Sequence, residues 1–318
     1  MEFGVRHSKG IITKVLISLV FLCVPCCSIF AVSLYLEPFV SYNREHITYD
    51  IYSPYGSINS RLEWNADYLF KTGTTFNLEA GPFVFNSSVA FNLPFKCGVM
   101  YDSDWYTIGL KTNRSTSDII PGFGIDCNLD FGYKFDLPRD FSVTPVLSIQ
   151  ESYRTLHAEN TIGLCGDMGH TALDHNIAWD DPRSKKVKKY GIDFYHNTTG
   201  VYLGADVAWA FSSVQLDLAA LFSPFTYIFS VDHHLGKQGG HYYQMIQKAL
   251  AFDFRFSALY NFSSKSALKL AASYNFCPDT PGDFYFGWFA TDHIIADETC
   301  SLSFSKLNIL LSWQIKIK

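Results

Sequence analysis

"RLEWNADYLF", residues 61–70, sets Leu62, Trp64, Ala66, Tyr68 and Phe70 against Glu63, Asn65 and Asp67. Successive side chains of an extended chain leave on opposite sides, so an apolar residue at every second position predicts a strand with one apolar face. The period recurs in "IDCNLDFGYKF" (125–135), where Ile125, Cys127, Leu129, Phe131, Tyr133 and Phe135 alternate with Asp126, Asn128, Asp130 and Lys134. "ALKLAASYNF" (267–276) and "KLNILLSWQIKIK" (306–318) repeat it, the latter with Leu307, Ile309, Leu311, Trp313, Ile315 and Ile317 on one phase.

Composition narrows what such strands are for. The 318 residues are 48% hydrophobic and 17% aromatic, only 17% are charged, and the formal charge is −5. Ordinary domains carry about a quarter charged residues. A mean hydropathy of +0.05 is too low for a helical membrane protein and high for a soluble enzyme. The negative balance gives no case for a nucleic-acid partner. Arg6, Lys9 and Lys14 precede the uncharged run "VLISLVFLCVPCCSIFAVS", and "AVS" at 31–33 has the small residues that signal peptidase reads. The expectation is a signal peptide over 1–33 and a single domain over 34–318, against the alternatives of an uncleaved anchor or a lipoprotein site at Cys26 or Cys27. No later stretch reaches the roughly 18 unbroken apolar residues of a helical span. Export, alternation and aromatic residues on the apolar phase together predict an all-β, transmembrane antiparallel barrel in the bacterial outer membrane, with lipid outside and a polar lumen inside. A soluble sandwich with its apolar faces turned inward is the competing reading.

Connections sort into short ones near 71–73, 136–140, 212–213 and 263–265, and long ones at 52–57, 101–119, 163–189, 232–242 and 281–295. Short turns alternating with long loops is the asymmetry of an outer-membrane barrel, the long loops lying outside the cell. The count is about ten strands. Several exceed the about 9–11 residues needed to cross a bilayer, so the barrel should project beyond the membrane on the loop side. Beyond the leader, Cys97, Cys127, Cys165, Cys277 and Cys300 form an odd set without metal-knuckle spacing. They read as small hydrophobes, with Cys165 and Cys300 as the one pair placed to join.

Two clusters carry chemistry. "CGVMYDSDWYTI" (97–108) holds Asp102 and Asp104, and "FSVDHHLG" (229–236) holds Asp232, His233 and His234. Residues two apart share a face in extended chain, so Asp102 pairs with Asp104 and Asp232 with His234, at the outer ends of the third and seventh strands. In a ten-stranded barrel those strands stand across the mouth from one another. A carboxylate beside an imidazole orients it and makes it a usable general base. Two adjacent carboxylates do not both ionise cheaply, so the couple can position a water and donate to a developing oxyanion. Each cluster also has an ordinary reading as a solvated strand tip, and Asp232, His233, His234 and His241 are residue types that bind divalent metals.

The chain resembles the omptin family of outer-membrane proteases. "GSINSRLEW" (56–64), "MYDSDW" (100–105), "QESYR" (150–154) and "VDHHL" (231–235) are similar to that family's segments, in the same order and at similar separations, across nearly the whole mature length. The resemblance implies a ten-stranded barrel with an extracellular groove in which water is the nucleophile. It implies that His234 is the general base and Asp232 its orienting partner, that Asp102 and Asp104 bind and polarise the water, that His233 points away, and that Trp105 has no catalytic role. It further implies cleavage of surface-accessible proteins or peptides, by default between basic residues, with Glu45 as the substrate-binding acid. A second such acid would stand at 230, where this sequence has Ser230, which argues for a shifted specificity. No metal or other cofactor is expected. Outer-membrane lipid is the expected non-protein partner, through residues the sequence does not single out; "RSKKVKK" (183–189) reads as a solvated loop face. A monomer is expected.

Two other functions compete: a barrel of the same shape serving as an adhesin or ligand-binding surface protein, and a passive pore. All four reacting positions are filled, against the first; the long projecting strands count against the second.

Overall fold

The computed structural model describes residues 32–53, 55–107, 110–165, 185–187, 191–234, 241–288, 294–295 and 299–318. Apart from Val32 and Ser33, the expected leader lies outside them, as do the side chains of Cys165, His241 and the 183–189 run. Every described element is a strand or a connection between strands: β1 (Val32–Tyr52), β2 (Ile58–Ala80), β3 (Phe83–Asn92), β4 (Gly98–Thr107), β5 (Leu110–Tyr133), β6 (Phe135–Leu137), β7 (Phe141–Cys165), β8 (Lys185–Val187), β9 (Ile192–Phe211), β10 (Val214–His234), β11 (His241–Ser263), β12 (Ser266–Trp288), β13 (Ile294–Ile295) and β14 (Thr299–Lys316). Pairing is antiparallel between neighbours, and β1 pairs with β14 from Tyr35–Lys316 to Tyr52–Thr299, which closes the sheet on itself. The fold is an all-β barrel of ten staves. β3 and β4 form the third stave together, each running between β2 and β5. The stave is broken at 93–97, where Pro94 has no N–H for the ladder. Tyr68 N–H to Cys97 O and Leu93 N–H to Phe70 O, both 2.8 Å, carry β2 past the gap. Short β6, β8 and β13 lie at the ends.

The turns expected at 136–140, 212–213 and 263–265 are present. "KTG" (71–73) is instead interior to β2, and the turn falls at 81–82, where Gly81 has φ +60°. Gly73 is small for another reason: a Cβ there would meet Val89 O at 2.1 Å, a close backbone approach of β3. The long loop expected over 101–119 is mostly strand, since β4 runs to Thr107 and β5 begins at Leu110. β12, with 23 residues, is roughly 75 Å long and, tilted by about 40°, rises roughly 55 Å, against a lipid-facing band of about 25 Å.

One expectation is overturned in half of the barrel. The apolar phase faces outward only toward the short-turn end. There Val40, Phe70, Phe76, Leu147, Leu203, Leu218, Phe254, Leu270, Ile309 and Trp313 are among the exposed hydrophobics, a lipid-facing belt; among the described residues, Tyr55 and Tyr101 are large exposed apolar residues that lie beyond it. Toward the long-connection end the apolar phase turns inward. In "RLEWNADYLF", Leu62, Trp64 and Ala66 are buried inside, whereas Tyr68 and Phe70 face out. The irregularity opposite Asn43 and Glu45 inserts an extra residue and exchanges the two faces of β2. Similar shifts occur at Pro121–Gly124 of β5, Ser223–Thr226 of β10 and Cys277–Thr280 of β12.

The upper lumen is therefore filled, not open. Trp64, Tyr49, Phe194, Leu62, Met100, Ile228, Met245, Phe284 and Leu302 belong to one buried apolar cluster. Trp64 from β2 stacks on Phe194 from β9 across the barrel, ring centroids 4.9 Å apart. Cys300 joins this cluster as a free thiol, as do Cys97 and Cys277. A filled upper lumen counts against a wide pore. Trp64→Ala is expected to lower the stability of the detergent-folded barrel by about 3–5 kcal/mol, read from its denaturation midpoint. An unchanged midpoint would show that the stack is not part of the core.

Candidate active site

The register puts Asp102 beside Leu62 and Ser115, and Asp104 beside Ser60 and Asn113. Paired residues on neighbouring strands share a face. Leu62, Trp64 and Met100 face inward, so Asp102 and Asp104 do too, half-buried near the outer end of the third stave. On the seventh stave Ile228, Ser230, Asp232 and His234 form an inner-face row of buried residues. Asp232 lies between Phe194 on β9 and Tyr243 on β11. Phe194 stacks on Trp64, which pairs with Met100, one inward step below Asp102. The Trp64–Phe194 stack is thus the floor on which the two clusters stand, on facing walls.

His234 Nε2 is 3.4 Å from Asp232 Oδ2. The Tyr49 hydroxyl, reaching across from β1, donates to the same oxygen. Oδ1 of Asp232, completely buried, has no hydrogen-bond partner among the described residues. An unsatisfied buried carboxylate oxygen is costly enough to need a reason, and a polar reaction site is one. The His234 ring meets Tyr243 edge-on at 5.0 Å and 89°. Together these contacts hold the imidazole on the apolar floor.

His233 leaves on the opposite face, where its ring lies 5.1 Å from Tyr195. Burial pushes its imidazole below the usual histidine pKa. Adjacent histidines on opposite faces of one strand do not converge on one ion, and among the described residues no group of three acidic, histidine or cysteine side chains could hold a metal. Trp105 follows a register shift after Asp104 and is half-buried.

Glu45 lies well below the mouth and is 4% exposed. Its carboxylate meets Lys71 Nζ at 3.0 Å, Lys306 Nζ at 3.8 Å and the Arg154 guanidinium. Asp126 completes the group, 2.5 Å from Lys71, 2.8 Å from Lys306 and 2.9 Å from Arg154. A carboxylate already shared by three cations has little attraction left for a fourth. This placement makes Glu45 part of the barrel's internal bracing. Ser230, just above, donates or accepts a 2.9 Å hydrogen bond with His196 Nδ1. Glu45→Gln is expected to destabilise the folded barrel by about 3 kcal/mol, because Arg154 and Lys71 stay buried with less compensation. A normal denaturation midpoint combined with weakened peptide binding would restore Glu45 to the substrate site.

Sequence reading missed Tyr49, Phe194 and Tyr243. The only signal for Tyr49 was its place in the inward row Glu45, Ile47, Tyr49, Ile51; its contact with Asp232 spans 183 residues and depends on barrel closure.

No protein-family model and no curated protein matches the sequence. In three dimensions the chain is similar to the outer-membrane protease OmpT of Escherichia coli, with a TM-score of 0.77, covering 90% of this chain and 97% of that one at 12% identity. The translocator domain of the autotransporter NalP from Neisseria meningitidis (TM-score 0.35, 6% identity, 95% and 97% covered) and the outer-membrane protein OprG from Pseudomonas aeruginosa (0.34, 10%, 91% and 97%) are looser matches that carry no weight. The fold is that of an outer-membrane β-barrel protein. Likeness at 12% identity establishes the architecture and leaves the chemistry to the residues.

Proposed function

We propose that this protein is an outer-membrane endopeptidase whose site faces the cell exterior and cleaves proteins or peptides there. The observation that carries the reading is the buried Tyr49–Asp232–His234 arrangement, set on an apolar floor facing Asp102 and Asp104. An imidazole held by a carboxylate is a general base, and the couple opposite gives the water a second anchor. His234 takes a proton from water held between the two walls, and the oxygen adds to the scissile carbonyl. The carbonyl oxygen gains charge as the tetrahedral intermediate forms beside the acidic couple. His234 then returns its proton to the departing amine as the C–N bond breaks. No cofactor enters this scheme, and one chain supplies all four groups, so a monomer suffices. Dependence on outer-membrane lipid remains part of the proposal. A binding or adhesin role is the alternative, favoured by the neutralised Glu45 and by Ser230.

The full chain is expressed and the barrel purified from membranes in detergent with added outer-membrane lipid. Cleavage of a mixed peptide library is then followed by mass spectrometry. His234→Ala and Asp102→Asn should fold, shown by heat-modifiable gel migration, yet lose about a hundredfold or more of the activity, while a chelator changes nothing. A folded parent that cleaves no peptide would favour the binding role. Tyr49→Phe, which removes one hydrogen bond to Asp232, should lower kcat/KM by roughly tenfold to a hundredfold. Full activity in that variant would remove Tyr49 from the site.

A further inference from the structure

Specificity at this site, if the peptidase reading holds, depends on what surrounds His234. One side chain beside it that is not itself a reacting group is Tyr243, whose ring meets the imidazole at 5.0 Å. Tyr243 in turn packs on Phe284 at 5.3 Å and Phe286 at 5.5 Å. Phe284 is fully buried, but Tyr243 and Phe286, packed against the same cluster, are only partly so. Charge points the same way. Among the described residues, the inward-facing acids next below the reacting ones are Glu45 and Asp126, and both are held by Lys71, Lys306 and Arg154. Below Asp232 the wall continues with Ser230 and Ile228, both fully buried.

A base that takes the water proton must deliver it to the leaving nitrogen, so His234 stands on the amine side of the scissile bond. The side chain next to that nitrogen passes over Tyr243 and Phe286. We infer that these two rings form a specificity wall that selects a large apolar, best aromatic, residue on the amine side of the bond, in place of a basic one. An aromatic side chain gains ring–ring contact there and loses no hydration of a charge. A lysine or arginine would give up part of its water shell and find no free carboxylate in return.

The inference rests on the peptidase reading, and the experiment separates the two. Purified barrel is given peptides identical except at the residue after the cleaved bond, which is Phe, Leu, Ala, Lys or Asp. New N-termini are assigned by mass spectrometry, and kcat/KM is measured for each. Phe is expected to exceed Ala and Lys by roughly tenfold to a hundredfold, and Phe286→Ala should collapse that ratio toward one by slowing the Phe peptide most. Phe286→Leu, which retains bulk without the ring, should keep the preference for large apolar residues over Lys and lose the extra gain of Phe over Leu; it also carries the test should Phe286→Ala not fold. Cleavage favouring Lys, or a Phe preference unchanged in a folded Phe286→Ala protein, overturns the specificity wall and leaves the peptidase standing. No cleavage of any peptide by the folded parent overturns both.

Discussion

One wall of this barrel must satisfy two solvents. Toward the short turns it is surrounded by an apolar belt such as lipid requires; toward the long connections its outer face carries ion pairs such as Arg61 with Asp50 at 2.6 Å and Lys96 with Asp118 at 2.7 Å, as water permits. A strand alternates strictly, so it changes which face is apolar only by changing its sequence phase or by inserting a residue. β2, β5, β10 and β12 insert the residue, at shifts that fall near the upper edge of the belt. Other staves change composition instead. On β14 the inward row runs from Leu302 and Phe304 to Lys306 and Asn308 without a break in phase. Everything else about the upper barrel follows from that inversion, because it places Trp64, Phe194 and Met100 inside and gives the barrel a core where a pore would otherwise be.

That inversion also marks how far the sequence could be read. Alternation revealed strands, composition and the expected leader pointed to the outer membrane, and the ten-stave count survived. What alternation alone does not reveal is which side of the sheet an apolar phase occupies: Leu62 and Phe70 lie in the same ten-residue run with the same period, yet one is in the core and the other in the belt. The difference is one inserted residue near Asp67, which has no signature of its own. Glycine and proline misled in a related way. "KTG" has turn composition, but Gly73 is there to let β3 pass close, whereas Pro94 breaks the third stave in a segment with no strong turn signal. At the site, Asp102 with Asp104 and Asp232 with His234 were visible as i, i+2 pairs because register keeps such residues on one face. Tyr49, Phe194 and Tyr243 were not, since each becomes a neighbour of Asp232 or His234 only through strand pairing or contact across the lumen.

The interior is layered by polarity, and each layer constrains the next. Lowest is the lumen within the belt, where Asp130 and Asp253 flank Arg255 at 2.7 and 2.8 Å. Above it Glu45 and Asp126 are bound by Lys71, Arg154 and Lys306, a brace between staves one, two, four, five and ten. Higher still comes the apolar cluster, and the acidic couple and the Asp–His pair stand at its top. Water entering from the mouth meets a hydrocarbon floor, so the fields of Asp232 and its partners act on it with little screening from below. The brace beneath is close to balanced, three cations against two carboxylates, and adds little net charge to that field.

The same layering bears on what a peptide finds in the mouth. A pocket for a long cationic side chain would have to reach through the apolar floor to an unpaired acid. In the described barrel the acid at that depth is already bound, and Ser230 offers only a hydroxyl engaged with His196. Opening such a pocket would break the Trp64–Phe194 stack that also supports the reacting groups. On the proposed reading, the floor that keeps the imidazole in place would confine recognition to the rim, where Tyr243 and Phe286 are among the described side chains that are only partly buried.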